Sequence, residues 1–291
     1  MAILACIPAY NEGRVIGALV KDVLQYVDKV IVCDDGSNDN TFTEAEKVGS
    51  QVLKHKKNLG KGAALRTLFD FAKNENFDVI VTIDGDGQFS PEEIPKLIAP
   101  IIDNKMDIVI GYRSNRDEIP SYRKIGNKVL DSMTNLASEL PFRDTQSGFR
   151  SYSKKAISVI NFKTDGFGAD SEILIDASKK KLDITEVDIH VRYNTGEKTS
   201  TKNPISHTGE VITSLIESIA IRHPLKYLGI PGIILIVVGI GLLIWSIIYF
   251  NQVRSFPIPI LVSSIGSTIM GTMLLLMSVV LFGISKIRIK N

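Results

Sequence analysis

Val79-Ile80-Val81-Thr82-Ile83-Asp84-Gly85-Asp86-Gly87-Gln88 is the stretch that decides the fold. Its first half is apolar and β-branched, the composition of a strand covered on both faces, and its carboxylates begin where such a strand ends. In open parallel sheets, ligands gather at those carboxyl ends. Asp84 and Asp86 are two apart, so an extended segment turns both side chains to one side. Two close anions repel, and a hard divalent cation with oxygen ligands relieves that repulsion. The plain alternative is a solvated acidic turn. A calcium loop of the EF-hand kind is excluded: counted from Asp84, the places for its glycine and glutamate hold Phe89 and Pro95. Ser90-Pro91-Glu92-Glu93 reads instead as a helix start, with Ser90 as N-cap, Pro91 in the first position and Glu93 closing a capping box. The acidic pair therefore lies in a strand-to-helix turn.

Working outward, the same unit repeats. Residues 3–7 read as a first buried strand, followed by Pro8-Ala9-Tyr10-Asn11-Glu12. A helix comes next, with Asn11 as its expected N-cap and Val15, Ile16, Leu19, Val20 and Val23 at helical spacing. A second strand over 29–33 ends at Asp34-Asp35-Gly36-Ser37 and leads to a helix through 44–48. A short third strand covers 51–55, and Asn58-Leu59-Gly60-Lys61-Gly62 opens a helix over 63–73. Beyond Gln88, a helix is expected over 91–104 and a strand over 106–111. Alternation of this kind implies right-handed crossovers: an α/β, Rossmann-like architecture with a mostly parallel sheet and helices on both faces. Neither a dinucleotide fingerprint nor a P-loop is present, so the acidic strand ends carry the nucleotide-binding reading. Later come helices over 124–140 and 171–180 and a strand over 184–193, with Phe142-Arg143-Asp144-Thr145-Gln146-Ser147-Gly148-Phe149-Arg150 between the helices. This half is expected to bind the second substrate.

The chain of 291 residues is 44% hydrophobic and 23% charged, an ordinary globular composition with an apolar addition at the C-terminus. A net charge of +2 gives no electrostatic argument for nucleic acid as a partner. Cys6 and Cys33 fall inside expected strands and read as small buried thiols, and the four histidines show no metal-ligand spacing. No basic segment or cleavage site precedes residues 3–7, so no signal peptide is expected. Segments 227–250 and 257–284 contain no formal charge and are long enough to span a membrane. One central Lys or Arg would cost about 2.5–3.5 kcal/mol on insertion scales, which makes that absence informative. Arg222, His223 and Lys226 precede the pair and Lys286, Arg288 and Lys290 follow it, against Arg254 alone in the connector. The positive-inside rule then sets both ends, and the catalytic domain, on the cytoplasmic face of an integral membrane protein. The expected organisation is a globular domain over 1–203, an amphipathic juxtamembrane helix over 204–226, two transmembrane helices over 227–285 and a basic tail over 286–291. The amphipathic segment either packs on the globular core or lies in the membrane interface.

The ordered set Pro8-Ala9-Tyr10-Asn11-Glu12, Asp34-Asp35-Gly36-Ser37, Gly60-Lys61-Gly62, Asp84-Gly85-Asp86-Gly87-Gln88 and Ser147-Gly148-Phe149-Arg150 resembles the family 2 glycosyltransferases of the GT-A fold. It is particularly similar to their dolichyl-phosphate mannose synthase-like group, which loads one sugar onto a polyprenyl phosphate. The resemblance implies that Pro8, Tyr10, Glu12, Asp35 and Gly85 line the nucleotide pocket. Asp84, Asp86 and Gln88 would hold Mg²⁺ or Mn²⁺ against the donor diphosphate. Lys61 either adds charge near the nucleotide or is a surface lysine. Arg113 and Arg123 match the family's phosphate-binding basic residues, a task suited to a guanidinium fork, with solvated surface arginines as the alternative. Arg150 either joins them or braces the Ser147-Gly148-Phe149 turn. Arg192 and Lys198 match the family's last basic loop only approximately.

The implied reaction is an inverting single displacement, in which the phosphate oxygen of a polyprenyl phosphate attacks the anomeric carbon of a nucleotide-sugar, GDP- or UDP-linked. Asp170 departs from the mannose synthase pattern. It is either a general base for a sugar hydroxyl, as in relatives that extend a lipid-linked saccharide, or a cap of the following helix with Glu172 in its first turn. A processive polysaccharide synthase is disfavoured: no Gln-x-x-Arg-Trp occurs, and Trp245 lies in an expected membrane span. A catalytically silent nucleotide-sugar sensor is the rival from another class, and the acidic set Asp84, Asp86 and Gln88 argues against it.

Overall fold

The computed structural model describes residues 1–103, 105–114, 121–166, 168–191 and 224–290, with the backbone alone over 121–127, 129 and 284–290. The chain divides into two compact units, Met1–Leu215 and Ile216–Asn291. The first is a three-layer α/β unit built on a seven-stranded sheet of order β3-β2-β1-β4-β6-β5-β7. Its strands are β1 (Ile3–Ala9), β2 (Lys29–Asp34), β3 (Gln51–Lys54), β4 (Val79–Thr82), β5 (Ile108–Arg113), β6 (Arg150–Ser153) and β7 (Ile184–Ile189). The helices between them are α1 (Ile16–Val23), α2 (Thr41–Lys47), α3 (Lys61–Asn74), α4 (Ile94–Ile102), α5 (Ser121–Ser138), α6 (Lys154–Val159) and α7 (Ala169–Lys179).

Alternation along each strand divides the core between the two faces of the sheet. Leu4, Cys6, Ile31 and Cys33 point into a cluster with Leu68 and Phe69 of α3 and Ile173 and Leu174 of α7. Ala5, Ile7, Val30 and Val32 point the other way, onto Ile16 and Val20 of α1 and Ile94 and Leu97 of α4. Both cysteines are free and buried, and burial pushes the Cys33 thiol up to about 12, so it stays protonated at neutral pH.

Strand β6 is the element the sequence did not announce. It runs antiparallel between β4 and β5, while the neighbours β1–β2, β1–β4, β2–β3 and β5–β7 are parallel. Because it is reversed, its first residue, Arg150, lies at the same sheet edge as the carboxyl ends of β1, β2, β4, β5 and β7. The strand expected over 184–193 ends as β7 at Ile189, and Val191 forms an isolated antiparallel bridge with Phe89.

Two expected caps are corrected. Asn11 has a left-handed backbone (φ 59°), and its side chain accepts from Asn38 N at 2.9 Å, which ties the loop after β1 to the turn after β2. Ser90 precedes a 3-10 turn (Pro91–Glu93) as expected, but its hydroxyl makes no capping bond. Glu93 turns away from it to Lys96 Nζ at 2.7 Å.

In the second unit, a π-helical turn (Leu225–Gly229) leads into α8 (Ile230–Val253), and α9 (Ile258–Lys290) follows. Stretches Leu225–Val253 and Ile258–Gly283 are long and apolar enough to cross a membrane, with mean hydropathies of 2.8 and 2.1. The two helices meet along small residues seven apart: Gly232, Gly239 and Ser246 on α8, Ser264, Gly271 and Ser278 on α9. Such residues let backbones approach closely, and Ser264 Oγ donates to Gly239 O at 2.8 Å. A Cβ on Gly239 would stand 2.3 Å from Thr268 Oγ1 and 2.9 Å from Ser264 O, whereas one on Gly241 would meet nothing. Gly239→Ala should therefore cost about 1–3 kcal/mol of overpacking and Gly241→Ala almost nothing. Trp245, the sole tryptophan, lies in α8. Its fluorescence in a thermal scan in detergent should show the lowered midpoint for Gly239→Ala only, and equal midpoints would disprove the seam.

Candidate active site

The loops after β1, β2 and β4, the end of β5 and the residues before β6 converge on one edge of the sheet. Pro8 is buried at the end of β1, with half-buried Tyr10 and Glu12 in the loop beyond. Gly85 lies against that strand end, where a Cβ would stand 3.0 Å from Pro8 O. Asp35 is only 3% exposed and braces the neighbouring loop. Its Oδ1 accepts from Leu59 N at 2.9 Å and faces His55 Nδ1 at 2.7 Å, and its Oδ2 accepts from Gly60 N at 2.7 Å. No local signal marked His55 as its partner.

The centre of the site is an ion-paired lysine. Lys61 opens α3, is 12% exposed, and its Nζ stands 2.7 Å from Asp84 Oδ1 and 3.0 Å from Asp170 Oδ2. Burial disfavours the ammonium, but the charges of Asp170 and Asp84 outweigh it and push Lys61 upward, so it stays charged. It is not a surface lysine. Asp86 is less well compensated. Burial and then the charge of Asp84 push its carboxyl up to about 6, against the opposing pull of the Gln88 N–H, Lys61 and Arg113. Gln88 N donates to Asp86 Oδ1 at 3.1 Å.

A hard divalent cation fits this donor set. Two carboxylates and an amide offer oxygen, and the desolvated Asp86 anion lacks a full counter-charge. Among the described residues no three His, Cys, Asp or Glu side chains converge. An ion of the Mg²⁺ type is bound through one or two carboxylates, as Asp84 and Asp86 could supply, and completes its shell with water and substrate phosphate.

The far side of the site hangs on the segment before β6. Arg113 at the end of β5 forms a bidentate pair with Asp144, Nε to Oδ2 at 2.6 Å and Nη2 to Oδ1 at 2.8 Å. Asp144 is fully buried, and nothing in its neighbourhood in the sequence pointed to this role. Arg150 is also fully buried. It donates from Nε to Ser147 O, from Nη2 to Thr145 O (both 2.8 Å) and from Nη1 to Asp170 O (2.9 Å). Of the two roles expected for Arg150, the structure gives it the bracing one, because every edge of its fork is turned inward. Arg123 lies in α5 with its side chain outside the described residues, as are Arg192, Lys198 and the amphipathic segment 206–222.

Asp170 is not the cap of α7. Gly168 holds that position without a side-chain bond, while Asp170 sits inside the first turn, 4% exposed, with its oxygens toward Lys61 and Arg150. Glu172 reaches back to Lys163 N at 3.0 Å and Thr164 N at 2.8 Å, fixing the loop that precedes the helix.

The family model described as Glycosyl transferase family 2 matches residues 4–160. The chain belongs to that family. A UDP-N-acetylglucosamine–dolichyl-phosphate N-acetylglucosaminyltransferase of Methanococcus voltae is 35% identical over 211 residues, 64% of this chain and 84% of that one. The glycosyltransferase AglJ of Haloferax volcanii is 26% identical over 286 residues, 96% and 92% of the two chains. A dolichol-phosphate mannosyltransferase of Pyrococcus furiosus is 31% identical over 196 residues, 62% and 54%. Named relatives of this family 2 glycosyltransferase thus include polyprenyl-phosphate sugar transferases. Glucosyl-3-phosphoglycerate synthase of Mycobacterium tuberculosis, in complex with Mn²⁺, UDP-glucose and phosphoglyceric acid, superposes with a TM-score of 0.62 at 22% identity. The match covers 75% of this chain and 80% of that one and shares the GT-A fold.

One contact at the site is unusually close. A Cβ on Gly148 would stand 2.3 Å from both carboxylate oxygens of Asp84. The Asp84 side chain is partly exposed and can swing aside, so Gly148→Ala should leave the fold intact while moving a carboxylate of the site. A displacement of about 1 Å can cost on the order of 10²-fold in rate. Sugar transfer should fall by that much with an unchanged melting temperature, and wild-type transfer would show that Asp84 need not stay where it is.

Proposed function

We propose that this glycosyltransferase moves one sugar, with inversion, from a nucleotide-sugar to a polyprenyl (dolichyl-type) phosphate at a membrane. The observation that carries the reading is the acidic pair at a strand end, the desolvated Asp86 beside Asp84, flanked by Lys61 and the clamped Arg113. A diphosphate cannot approach two carboxylates without a bridging cation. Mg²⁺ or Mn²⁺ on Asp84, Asp86 and Gln88 would supply that bridge and stabilise the departing nucleoside diphosphate.

The chain's own residues do the rest. Pro8, Tyr10, Glu12 and Gly85 line the nucleotide pocket, and Asp35 shapes it through the loop it braces. Asp144 takes the Nε–Nη2 edge of Arg113 and so fixes the guanidinium as a positive charge for the acceptor phosphate, with Arg123 as a second cation. A phosphate monoester, with a second pKa of about 6, is largely ionised at neutral pH and needs positioning more than a base. The engagement of Asp170 with Lys61 and Arg150 favours such an acceptor over a sugar hydroxyl, which would need a carboxylate open to it. Helix α8 and the Ile258–Gly283 stretch of α9, which carry no formal charge, suit a lipid substrate, and by the positive-inside rule the flanking Lys and Arg residues support a cytoplasmic orientation of the catalytic unit. The Methanococcus relative makes a UDP-linked sugar the first donor to try.

The test is transfer in detergent or nanodiscs with UDP- and GDP-sugars, dolichyl or undecaprenyl phosphate, and Mg²⁺ or Mn²⁺. A lipid-linked sugar should form, vanish with EDTA and return with added metal. Asp86→Asn should lower its rate by at least about 10²-fold. No product with any donor, or product insensitive to both EDTA and Asp86→Asn, would overturn the reading. Asp144→Asn should raise the KM for the lipid phosphate by about tenfold and change the donor KM little, because it loosens the Arg113 fork. An unchanged lipid KM would remove Arg113 from the acceptor site.

A further inference from the structure

We propose that Lys61 is the built-in counter-cation of the acidic strand end, and that a divalent cation enters only by taking Asp84 from Lys61 and leaving the ammonium with Asp170. This rests on the metal reading above and adds an exchange step to it.

The geometry is that of a shared ligand. One ammonium stands between two carboxylates from different elements, at 2.7 Å from Asp84 on the β4 turn and 3.0 Å from Asp170 in α7. The two carboxylates are not equally tied to it. Gly62 N and Ala63 N, next to Lys61 in α3, donate to Asp165 O at 2.7 and 3.2 Å, which fastens the first turn of α3 to the loop that enters α7. Arg66 of the same helix donates to Lys163 O at 3.0 Å and pairs with Asp165. Lys61 and Asp170 are therefore held on one connected body, with Arg150 fixing the carbonyl of Asp170. Asp84 belongs to the sheet edge and is the more exposed partner, with a side chain 25% accessible against 6% for Asp170.

Charge decides the direction of the exchange. A dication on Asp84 and Asp86 repels an ammonium that touches one of its ligands. A buried lysine with one partner would then be stranded, and an uncompensated buried charge is costly. Lys61 has a second carboxylate already in contact, so it can leave Asp84 without losing its pairing. In the free protein the Lys61–Asp84 pair competes with the metal and holds its affinity down. A bound diphosphate brings anionic charge that offsets this competition, so cation and donor favour each other's binding, and the coupling is reciprocal.

The experiment is Mn²⁺ binding to the full chain in detergent without donor or acceptor, followed by electron paramagnetic resonance and calorimetry. Lys61→Met should bind Mn²⁺ about tenfold more tightly than wild type, within the ordinary 5- to 150-fold range of coupling between sites. Lys61→Arg keeps the charge and should bind as wild type does. Asp170→Asn should act in the opposite direction and weaken binding by at least about fivefold, because Asp84 is then the carboxylate of the two that Lys61 keeps. The double variant should follow Lys61→Met. A merely structural ion triad would not give effects of opposite sign. Unchanged or weaker binding by Lys61→Met, or unchanged or tighter binding by Asp170→Asn, overturns the exchange. If Lys61→Met does not fold, Asp170→Asn decides by itself. Absence of Mn²⁺ binding in every form, or binding indifferent to Asp86→Asn, overturns the metal reading and the exchange with it. Asp86-dependent binding without the opposed effects overturns the exchange alone.

Discussion

A buried guanidinium holds the site together. Arg150 gives its N–H groups to the carbonyls of Ser147, Thr145 and Asp170, deep in the α/β unit. A buried charge left short of partners costs several kcal/mol, so the turn before β6 and the first turn of α7 keep the conformation that satisfies it. The remaining contacts follow from that. Gly148 is held where Thr82 Oγ1 donates to its carbonyl at 3.0 Å and where the Asp84 carboxylate closes over it. Asp144, next to Thr145, is held where it clamps Arg113, and Asp170 where it reaches Lys61. Removing the charge of Arg150 would loosen three sides of the site at once, although the side chain touches no open surface.

What the sequence made legible was whatever it expresses locally. The strands β1, β2 and β4 are apolar runs that stop at Pro8, Asp34 and Asp84, so a parallel sheet with an acidic edge could be read without coordinates. Strand β6 could not be. Arg150-Ser151-Tyr152-Ser153 is polar, and both its serines find partners far along the chain: Ser151 Oγ donates to Leu97 O at 2.6 Å and Ser153 Oγ to Asp107 Oδ1 at 3.1 Å. A strand of that composition carries no apolar period, and only its place between β4 and β5 makes it one.

The misread caps have the same cause. Asn11, Ser90 and Asp170 each stand before or inside a helix start, where a local side-chain cap is the ordinary outcome. For Asn11 and Asp170 a tertiary partner decided otherwise, and the Ser90 hydroxyl is buried without a hydrogen bond. Local signal cannot distinguish a carboxylate that caps its own helix from one that meets a lysine more than a hundred residues upstream. Lys61 itself, between two glycines, looked like part of a nucleotide loop or like surface, and only the fold brings two carboxylates to it.

The start of α3 bears on the proposal of a bridging cation. A helix N-terminus is a ready anion site, because its first N–H groups are unpaired, and Gly60-Lys61-Gly62 at the start of α3 has the look of one. Here two of those groups are already engaged: Gly62 N and Ala63 N both donate to Asp165 O. A diphosphate arriving at this edge therefore finds two acidic side chains and a lysine already paired with one of them, in place of a backbone cradle. On the proposed reading, the missing charge compensation comes from a divalent cation. This differs from nucleotide sites in which a glycine loop wraps the phosphates with its own N–H groups. It follows that the short spacing of Asp84 and Asp86, rather than the glycines around Lys61, sets how this fold meets a phosphate.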